Sequence, residues 1–372
     1  PTGVNTSGST YVAYLFADNS SEDADDQMIK CGSYTTDGSG NASISLGWEP
    51  QWVITKKTDG TSAWNIWDTA RGWTNGSNYD YLEANTSAAE TGNANYGNPT
   101  ATGFTSNGVI GANANGIYIA IRAPMMVEPE AATDVFAIDT AGSVSAAAPN
   151  FRSTFPVDTA LRMDTGGGTN YIASRLTQGK YLVPQTTGVE VSTSVFQFDY
   201  SNGWDSRTST VATRYAYMWK RAKGYMDVVA YTGTGSARNL NHSLAVIPEL
   251  LIFKSRSNAV GWAVSVGAVG YTNGGRLESD SYNSFSSEPN RVTGTPTATT
   301  IPLGTDAYVN VSARTYIAYL FATLAGISKV GSYTGNGSNQ TIDCGFSAGA
   351  RFILIKRTDA SGDWYVWDSV RG

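Results

Sequence analysis

The feature that most limits the fold of this chain is a short sequence motif that occurs four times. The copies lie at 50–72, 156–179, 248–270 and 350–372. Each has an apolar stretch, a polar turn that contains glycine, and a second stretch that starts at an aromatic residue. Two short strands joined by such a turn predict a β-hairpin. Recurrence at a nearly fixed period indicates tandem modules.

The hairpin copies share a set of anchor residues. The basic residue that ends the first strand is Lys56, Arg162, Lys254 or Lys356, and the aromatic residue that starts the second is Trp64, Tyr171, Trp262 or Trp364. Copies one and four add Asp68 with Arg71, and Asp368 with Arg371. We expect the lysine, aspartate and arginine to form a small ion-pair cluster across the hairpin. A retaining glycosidase needs two carboxylates about 5 Å apart, so one aspartate per hairpin predicts no catalytic residue.

Two further elements precede each hairpin and define the length of a module. One is the turn seen in "GSYTTDGSG" (32–40) and "GSYTGNGSN" (331–339), and the other is the strand "YVAYLFA" (11–17) or "YIAYLFA" (316–322). The strand alternates aromatic and small residues with a period of two, as β-strands do. The aromatic anchors lie 107, 91 and 102 residues apart. With 40 glycines and only 15% charged residues, the chain is predicted to be all-β, with jelly-roll-like β-sandwich modules of about 100 residues.

Loop-like segments set the predicted boundaries. The acidic segment 18–26 and the segment 125–134 both follow a "YVAYLFA"-type strand, so we interpret that strand as the end of a module. The predicted organisation is listed here: a closing strand at 1–17, module one at 18–124, a diverged module two at 125–222, module three at 223–322, and the opening half of a further module at 323–372.

The two incomplete ends have two open explanations. The closing strand 1–17 has no module, and the half module 323–372 has no closing strand. Exposed sheet edges pair readily with other chains, so the N-terminal strand of one copy would complete the half module of another. A chain that starts at Pro1 and was cut from a longer fibre explains the same pattern more simply.

Composition and charge exclude several classes of function. The net charge is −6 and the basic residues form no run, so no nucleic-acid partner is predicted. No apolar stretch reaches the roughly 18–20 residues that span a bilayer, so no membrane partner is predicted. His242 is the only histidine, and we expect it to be a hydrogen-bonded structural residue. No cofactor, metal site or enzymatic activity is expected, and the carboxylates of 21–26 are interpreted as a linker.

The cysteines and tryptophans each leave a smaller question. Cys31 and Cys344 are expected to be buried free thiols, which fits assembly in a reducing cytoplasm. Trp67 and Trp367 follow Trp64 and Trp364 by three residues, so on a strand the members of each pair face opposite sides. Packing is the favoured role for these tryptophans, and stacking of Trp67 or Trp367 on a sugar ring is the alternative.

The combined motifs resemble a known family. "YIAYLFA", "KVGSYTGNGS" and "RFILIKRTDASGDWYVWDSVRG" look like the repeat module of tail-fibre and other virion structural proteins of marine bacteriophages. Copies one and four match that pattern well, copy three matches a sister form through "YTGTGSARNLNHSLAVIPELLIFKSRS", and copy two has drifted. The resemblance implies no catalytic residue.

The expected function is therefore structural. The chain is predicted to be a bacteriophage virion protein, assembled in the host cytoplasm, that builds a tail fibre or similar appendage. Its expected partners are copies of itself, other virion proteins and a host-surface glycan. A carbohydrate-binding adhesin, a capsid decoration or fibre protein, and a polysaccharide-degrading enzyme remain as alternatives.

Overall fold

A computed structural model describes most of the chain as antiparallel β-sheet. The described residues are 3–4, 6–18, 27–69, 73, 79–94, 96–100, 102–122, 126, 128–140, 148–177, 179–198, 200–206, 214–278 and 285–371. No α-helix occurs among them. The chain divides into two compact units, Pro1–Met125 and Met126–Gly372. The all-β prediction is confirmed, whereas the jelly-roll detail stays a prediction.

The described residues of the first unit form nine strands in two layers. They are β1 (Ile29–Thr35), β2 (Asn41–Ser45), β3 (Pro50–Lys57), β4 (Trp64–Asp68), β5 (Tyr79–Glu83), β6 (Thr91–Ala94), β7 (Pro99–Thr100), β8 (Gly103–Asn107) and β9 (Asn115–Arg122). One sheet has the order β1-β9-β3-β4-β5-β6 and the other the order β2-β8-β7. Val53, Trp67 and Phe104 pack between the two sheets and are fully buried. The alternation along β3 buries Val53 and Thr55 but leaves Ile54 partly exposed, as a half-buried strand requires.

The second unit begins with a module whose described residues form nine short strands. They are β10 (Phe136–Thr140), β11 (Phe151–Arg152), β12 (Thr159–Asp164), β13 (Tyr171–Ser174), β14 (Lys180–Tyr181), β15 (Val191–Ser192), β16 (Phe196–Gln197), β17 (Gly203–Ser206) and β18 (Arg214–Trp219). Short 3-10 turns occupy Ala132–Asp134 and Arg175–Thr177. The sheets have the orders β10-β18-β12-β13, β11-β17-β16 and β14-β15.

The rest of the second unit holds one complete module and one lone hairpin. The strands are β19 (Met226–Thr232), β20 (Arg238–Asn241), β21 (Leu250–Ser255), β22 (Trp262–Val266), β23 (Asn273–Arg276), β24 (Ser286–Ser287), β25 (Thr300–Leu303), β26 (Thr315–Phe321), β27 (Phe352–Lys356) and β28 (Trp364–Asp368). A 3-10 turn follows β22 at Gly267–Val269. The main sheet has the order β19-β26-β21-β22-β23-β24, and the pairs β20-β25 and β27-β28 are separate.

The three complete modules share one strand order. In each main sheet the last strand of the module lies between the first strand and the hairpin, as in β1-β9-β3-β4, β10-β18-β12-β13 and β19-β26-β21-β22. The last strand therefore holds the sheet together, because it pairs on both sides. Each sheet is built from strands of one stretch of the chain, 29–122, 136–219, 226–321 or 352–368.

The second unit is organised around an apolar core that lies between modules. We call it the shared core, and its central residues are Tyr217, Trp219, Trp262, Tyr319 and Phe352. These side chains come from β18 of module two, from β22 and β26 of module three, and from β27 of the lone hairpin. Each complete module of this unit also has its own internal core. Both faces of the two main sheets are therefore covered.

Alternation along β26 shows how one strand serves two cores. Ala318 and Leu320 point into the internal core of module three, whereas Ile317 and Tyr319 point into the shared core. All four side chains are buried. A strand that is covered on both faces needs a nearly continuous apolar sequence, and "YIAYLF" provides it. The repeat of this sequence thus encodes a sheet with two packed faces.

The predicted closing strand at 1–17 forms no strand within its described part. Residues 6–18 are exposed and lie in no sheet. The physical reason is that a strand exists only when its backbone groups have partners. The copies of this sequence that do form a strand, such as β26, have a strand on each side.

Candidate functional site

The four predicted hairpins are present, and their registers agree. The cross-strand pairs are Lys56 with Trp64, Arg162 with Tyr171, Lys254 with Trp262, and Lys356 with Trp364. The basic residue and the aromatic residue are thus direct neighbours across the strands, at the loop end of each hairpin. Similar sequences have folded into one local structure four times.

In copies one and four the lysine binds the hairpin loop. The ammonium group of Lys56 donates a hydrogen bond to the carbonyl oxygen of Ser62, and that of Lys356 donates to the carbonyl oxygen of Gly362. In copy four the expected contact between the lysine and the aspartate is wrong. Phe352 pairs with Asp368 and Lys356 pairs with Trp364, so four residues, or about 13 Å, separate the lysine from the aspartate along the strand.

In copy three the anchors hold a loop of module two. The indole nitrogen of Trp262 donates to the carbonyl oxygens of Thr186 and Val183 at 3.1 and 3.3 Å. The ammonium group of Lys254 donates to the carbonyl oxygen of Thr187 at 3.2 Å. We call the loop 183–187 the clasp loop. Trp262 and Lys254 are both fully buried, so they tie two modules together rather than form an exposed site.

Burial changes the acidity of Lys254. The loss of hydration lowers the pKa of its ammonium group to about 8, while the nearby Glu278 opposes this change. A second carbonyl contact, to its own neighbour Ser255 at 2.8 Å, helps to satisfy the donor. An ion pair at the same place joins Glu190 to Arg256 at 2.7 Å and strengthens the contact between the modules.

Copy two departs from the predicted anchor arrangement. Arg162 and Tyr171 are cross-strand partners, but both point into the internal core of module two. The guanidinium carbon of Arg162 lies 4.3 Å from the centroid of the Tyr171 ring. Leu161 and Met163 occupy the opposite face and pack against the shared core. The cross-strand pair of copy two thus matches that of copy three, but Arg162 lies on the internal-core face of its sheet, whereas Lys254 lies on the same face as Ile252 of the shared core.

The aspartate of copy four lies at the contact between the lone hairpin and module two. The hydroxyl of Tyr217 donates to Asp368 Oδ2 at 2.7 Å, and Arg371 forms an ion pair with the same carboxylate. The backbone amide groups of Val370 and Arg371 donate to Asp368 Oδ1 at 3.0 and 2.9 Å. The predicted aspartate–arginine pair of copy four is confirmed. Asp68 is also buried, whereas Arg71 lies outside the described residues.

These contacts shift the pKa values of Asp368 and Tyr217. Burial acts to raise the pKa of Asp368, but the hydrogen bonds from Tyr217 and Arg371 outweigh it, and the pKa is lowered. Burial and the hydrogen bond to Asp368 both raise the pKa of Tyr217. The carboxylate therefore stays charged and holds the tyrosine hydroxyl as a donor.

The two candidate glycan-stacking tryptophans differ strongly. Trp67 is fully buried, and its ring centroid lies 6.0 Å from that of Trp73. Trp367, at the matching position of the lone hairpin, is 48% exposed. Its ring stacks on Tyr365 with a centroid distance of 5.7 Å and an interplanar angle of 20°. Trp67 is packed in the interior of module one, while Trp367 and Tyr365 form an exposed aromatic platform.

The remaining candidate residues are the two cysteines, His242 and the acidic segment 21–26. Cys31 and Cys344 are free thiols and are partly exposed rather than buried. His242 Nε2 lies 3.3 Å from the carbonyl oxygen of Thr297, and burial lowers the pKa of its imidazole. Within the described residues no group of three or more His, Cys, Asp or Glu side chains is arranged to hold a metal ion. The acidic segment 21–26 lies outside those residues.

The described part of the chain contains no helix that is long and apolar enough to cross a membrane.

Sequence reasoning missed the shared core and the clasp loop. Nothing in the repeat indicates which face of a sheet a neighbouring module covers, and the clasp loop lies outside the repeated motif. One signal was present: "YIAYLF" is apolar at nearly every position, which is typical of a strand that is buried on both faces.

Comparison with known proteins gives one family. The family described as "Domain of unknown function (DUF7483)" matches residues 2–121 and 201–372, and the chain therefore belongs to it. The unmatched residues, 122–200, include the hairpin of the diverged module two. No curated protein matches the chain.

Proposed function

We propose that this chain is a non-enzymatic structural protein of a bacteriophage virion and that its modules build a tail fibre or a similar appendage. The observation that carries the proposal is the shared core. Copies of the repeated hairpin meet around apolar side chains such as Trp262, Tyr319 and Phe352, whereas an active site needs a cleft lined by polar groups. The repeated motif thus serves packing between modules.

The contacts between modules favour stiffness. The clasp loop accepts hydrogen bonds from Trp262 and Lys254, and Tyr217 binds Asp368, so these two contacts within the second unit have directional polar bonds beside apolar packing. Buried hydrogen bonds fix the relative orientation of packed parts more strictly than apolar contacts alone. An appendage that transmits force needs modules that do not swing freely.

The resemblance of the repeats to virion proteins of marine bacteriophages supplies the biological setting of the proposal. Assembly would take place in the host cytoplasm, with copies of this chain and other virion proteins as partners. Loops between strands would provide variable contact surfaces, because loops tolerate change better than the sheets that carry them. A host-surface glycan is the proposed contact at the end of the appendage that faces the host.

Electron microscopy of particles with a labelled copy of this protein tests the proposal. A peptide tag placed in the exposed 165–169 turn and marked with gold should decorate the tail fibres. Gold on the capsid shell would reject the fibre position and assign a decoration role. Particles that carry the protein nowhere would overturn the virion proposal.

The aromatic platform favours a second candidate, a carbohydrate-binding module. Trp367 and Tyr365 present stacked rings to solvent, and flat aromatic surfaces stack well on sugar rings. Glycan-array binding that is lost in Trp367→Ala and kept in Ile342→Ala, a matched change at another exposed apolar residue, would support this candidate. Equal binding by both variants would reject it.

A further inference from the structure

Within the described residues, two segments are unpaired although closely similar segments of the chain are paired in a sheet. Residues 10–17, "TYVAYLFA", are identical at seven of eight positions to residues 315–322, "TYIAYLFA". In module three that sequence forms β26, which pairs with β19 on one side and with β21 on the other. Its N-terminal copy is exposed and belongs to no sheet.

The exposure of the N-terminal copy is costly for such apolar residues. Tyr14 is 84% exposed and Leu15 is 92% exposed, whereas their counterparts Tyr319 and Leu320 are buried. Burying a large apolar side chain contributes about 1.5–3 kcal/mol. A run of exposed aromatic and aliphatic residues marks an interaction site. Residues 10–17 therefore have the properties of a strand without its sheet.

The lone hairpin shows the complementary gap. In the complete modules the strand that matches β27 pairs with the hairpin partner and with the last strand of the module. Among the described residues β27 pairs only with β28. The preceding turn, 331–339, is exposed and forms no strand, because its matching strands β1 and β19 pair only with a last strand.

The inner face of the lone hairpin is open as well. Ile353, Tyr365 and Trp367 are 40%, 52% and 48% exposed. Trp67, which matches Trp367, is fully buried in module one. Among the residues that the structure describes, the hairpin therefore has no second neighbouring strand and only part of the apolar cover of the complete modules.

We propose that residues 10–17 of one copy insert beside β27 of a second copy as an antiparallel strand. The register follows from module three, where Lys254, Ile252 and Leu250 pair with Ile317, Tyr319 and Phe321. The corresponding new pairs are Val12 with Lys356, Tyr14 with Leu354, and Phe16 with Phe352. On the other side Tyr11 faces Tyr333, as Tyr316 faces Tyr231 in module three.

This register places side chains of the right kind on each face. Val12, Tyr14 and Phe16 extend the face that carries Phe352 and the shared core, as Ile317 and Tyr319 do in module three. Tyr11, Ala13 and Leu15 cover the open inner face of the hairpin. The inserted strand gives the hairpin a second ladder of backbone hydrogen bonds, and it gives the 331–339 turn a strand to pair with.

The junction is directional, since the donor and acceptor are different surfaces of the chain. A contact of this kind joins copies head to tail and forms open chains unless its rotation closes a ring. The inference rests on the proposed role in assembly, because it names the partner of the exposed hairpin. It does not depend on where in a virion the chain is placed.

Association of the 372-residue chain tests the inference. Native mass spectrometry and light scattering should show oligomers that grow with concentration. Tyr14→Asp disables the inserting strand 10–17, which is the donor. Leu354→Asp disables the edge of β27 that receives it, which is the acceptor, because it buries a charge at the paired position. Each variant should associate more weakly by roughly tenfold or more. Ser7→Asp and Ser347→Asp add the same charge at exposed sites outside the junction and should leave association unchanged.

Mixing the two defective variants gives the sharpest result. Tyr14→Asp keeps an intact acceptor and Leu354→Asp keeps an intact donor, so the mixture should form a one-to-one dimer. The amide hydrogens of 11–16 in the Leu354→Asp chain should then exchange more slowly by roughly tenfold or more.

Several results would overturn the inference. These are a chain that stays monomeric at high concentration, oligomers that survive Tyr14→Asp, a mixture without dimers, and protection of 11–16 within a monomer, which would mean insertion into the same copy. Each concerns the junction alone. The virion proposal fails on a different observation, the absence of label from particles.

Discussion

The repeat offers a matched pair of substitutions, Trp262→Ala and Trp64→Ala. Both tryptophans start the second strand of a hairpin and pair with a lysine in the same register. Trp262 is fully buried in the shared core, whereas Trp64 is 36% exposed. The same chemical change at equivalent positions therefore separates the effect of the shared core from the effect of the hairpin.

The expected loss of stability follows from burial. A buried tryptophan removes about 150–250 Å² from water, and Trp→Ala in a core costs about 3–5 kcal/mol. Trp262→Ala also leaves the carbonyl groups of the clasp loop without the indole donor, which adds about 1 kcal/mol. For Trp64, whose ring keeps much of its contact with water, we expect about 1–2 kcal/mol. The expected difference is about 3 kcal/mol.

Hydrogen exchange read by mass spectrometry suits this comparison, because it reports opening free energies for each segment separately. Trp262→Ala should lower the opening free energy across β21, β22 and β27–β28, and Trp64→Ala should affect β3 and β4 only. Equal losses in the two variants, or a Trp262→Ala effect confined to its own hairpin, would refute the reasoning from the shared core.

Other substitutions test individual contacts. Burial lowers the pKa of Lys254 from 10.5 to about 8, so between pH 8 and pH 10.5 the unfolded chain binds a proton that the folded chain has lost. The free energy of unfolding should therefore rise from pH 8 to pH 10.5. Lys254→Met should abolish that rise in urea titrations. The pKa of Asp368 is lowered in the folded chain, so its stabilising effect is lost when the pH falls. Protection of the lone hairpin in hydrogen exchange should therefore fall as the pH drops below about 4, and Asp368→Asn should remove this dependence. Trp67→Ala should cost about 3–5 kcal/mol in chemical unfolding and Trp367→Ala less than about 1; similar costs would contradict their different burial.

Local structure was predictable from the sequence because it depends on local patterns. Alternating side chains, glycine-containing turns and the aromatic anchors predicted the four hairpins, and the strand registers agree with them. The order of strands was not predicted. It depends on the last strand of each module returning to lie beside the hairpin, and the sequence separation between those elements carries no signal of this pairing.

Packing between modules was harder to predict because it depends on surfaces rather than on patterns. The sequence placed Trp262 and Trp364 at the start of a strand, but it did not show that Trp262 reaches the clasp loop or that Trp364 donates to the carbonyl oxygen of Arg276 at 2.9 Å. The burial of Arg162 was not predicted, because charged residues are rarely buried. Its burial depends on the aromatic rings of Tyr171 and Phe196.

A double-mutant cycle between Tyr217 and Asp368 tests the meeting of modules at the shared core most directly. The two residues are 151 positions apart and are joined by a buried hydrogen bond of 2.7 Å. With Tyr217→Phe and Asp368→Asn, the coupling in the opening free energy of β27–β28 should be about 1.5–3 kcal/mol, as for a hydrogen bond to a charged group. A coupling near zero would mean that the lone hairpin does not pack against module two and would contradict the architecture described here.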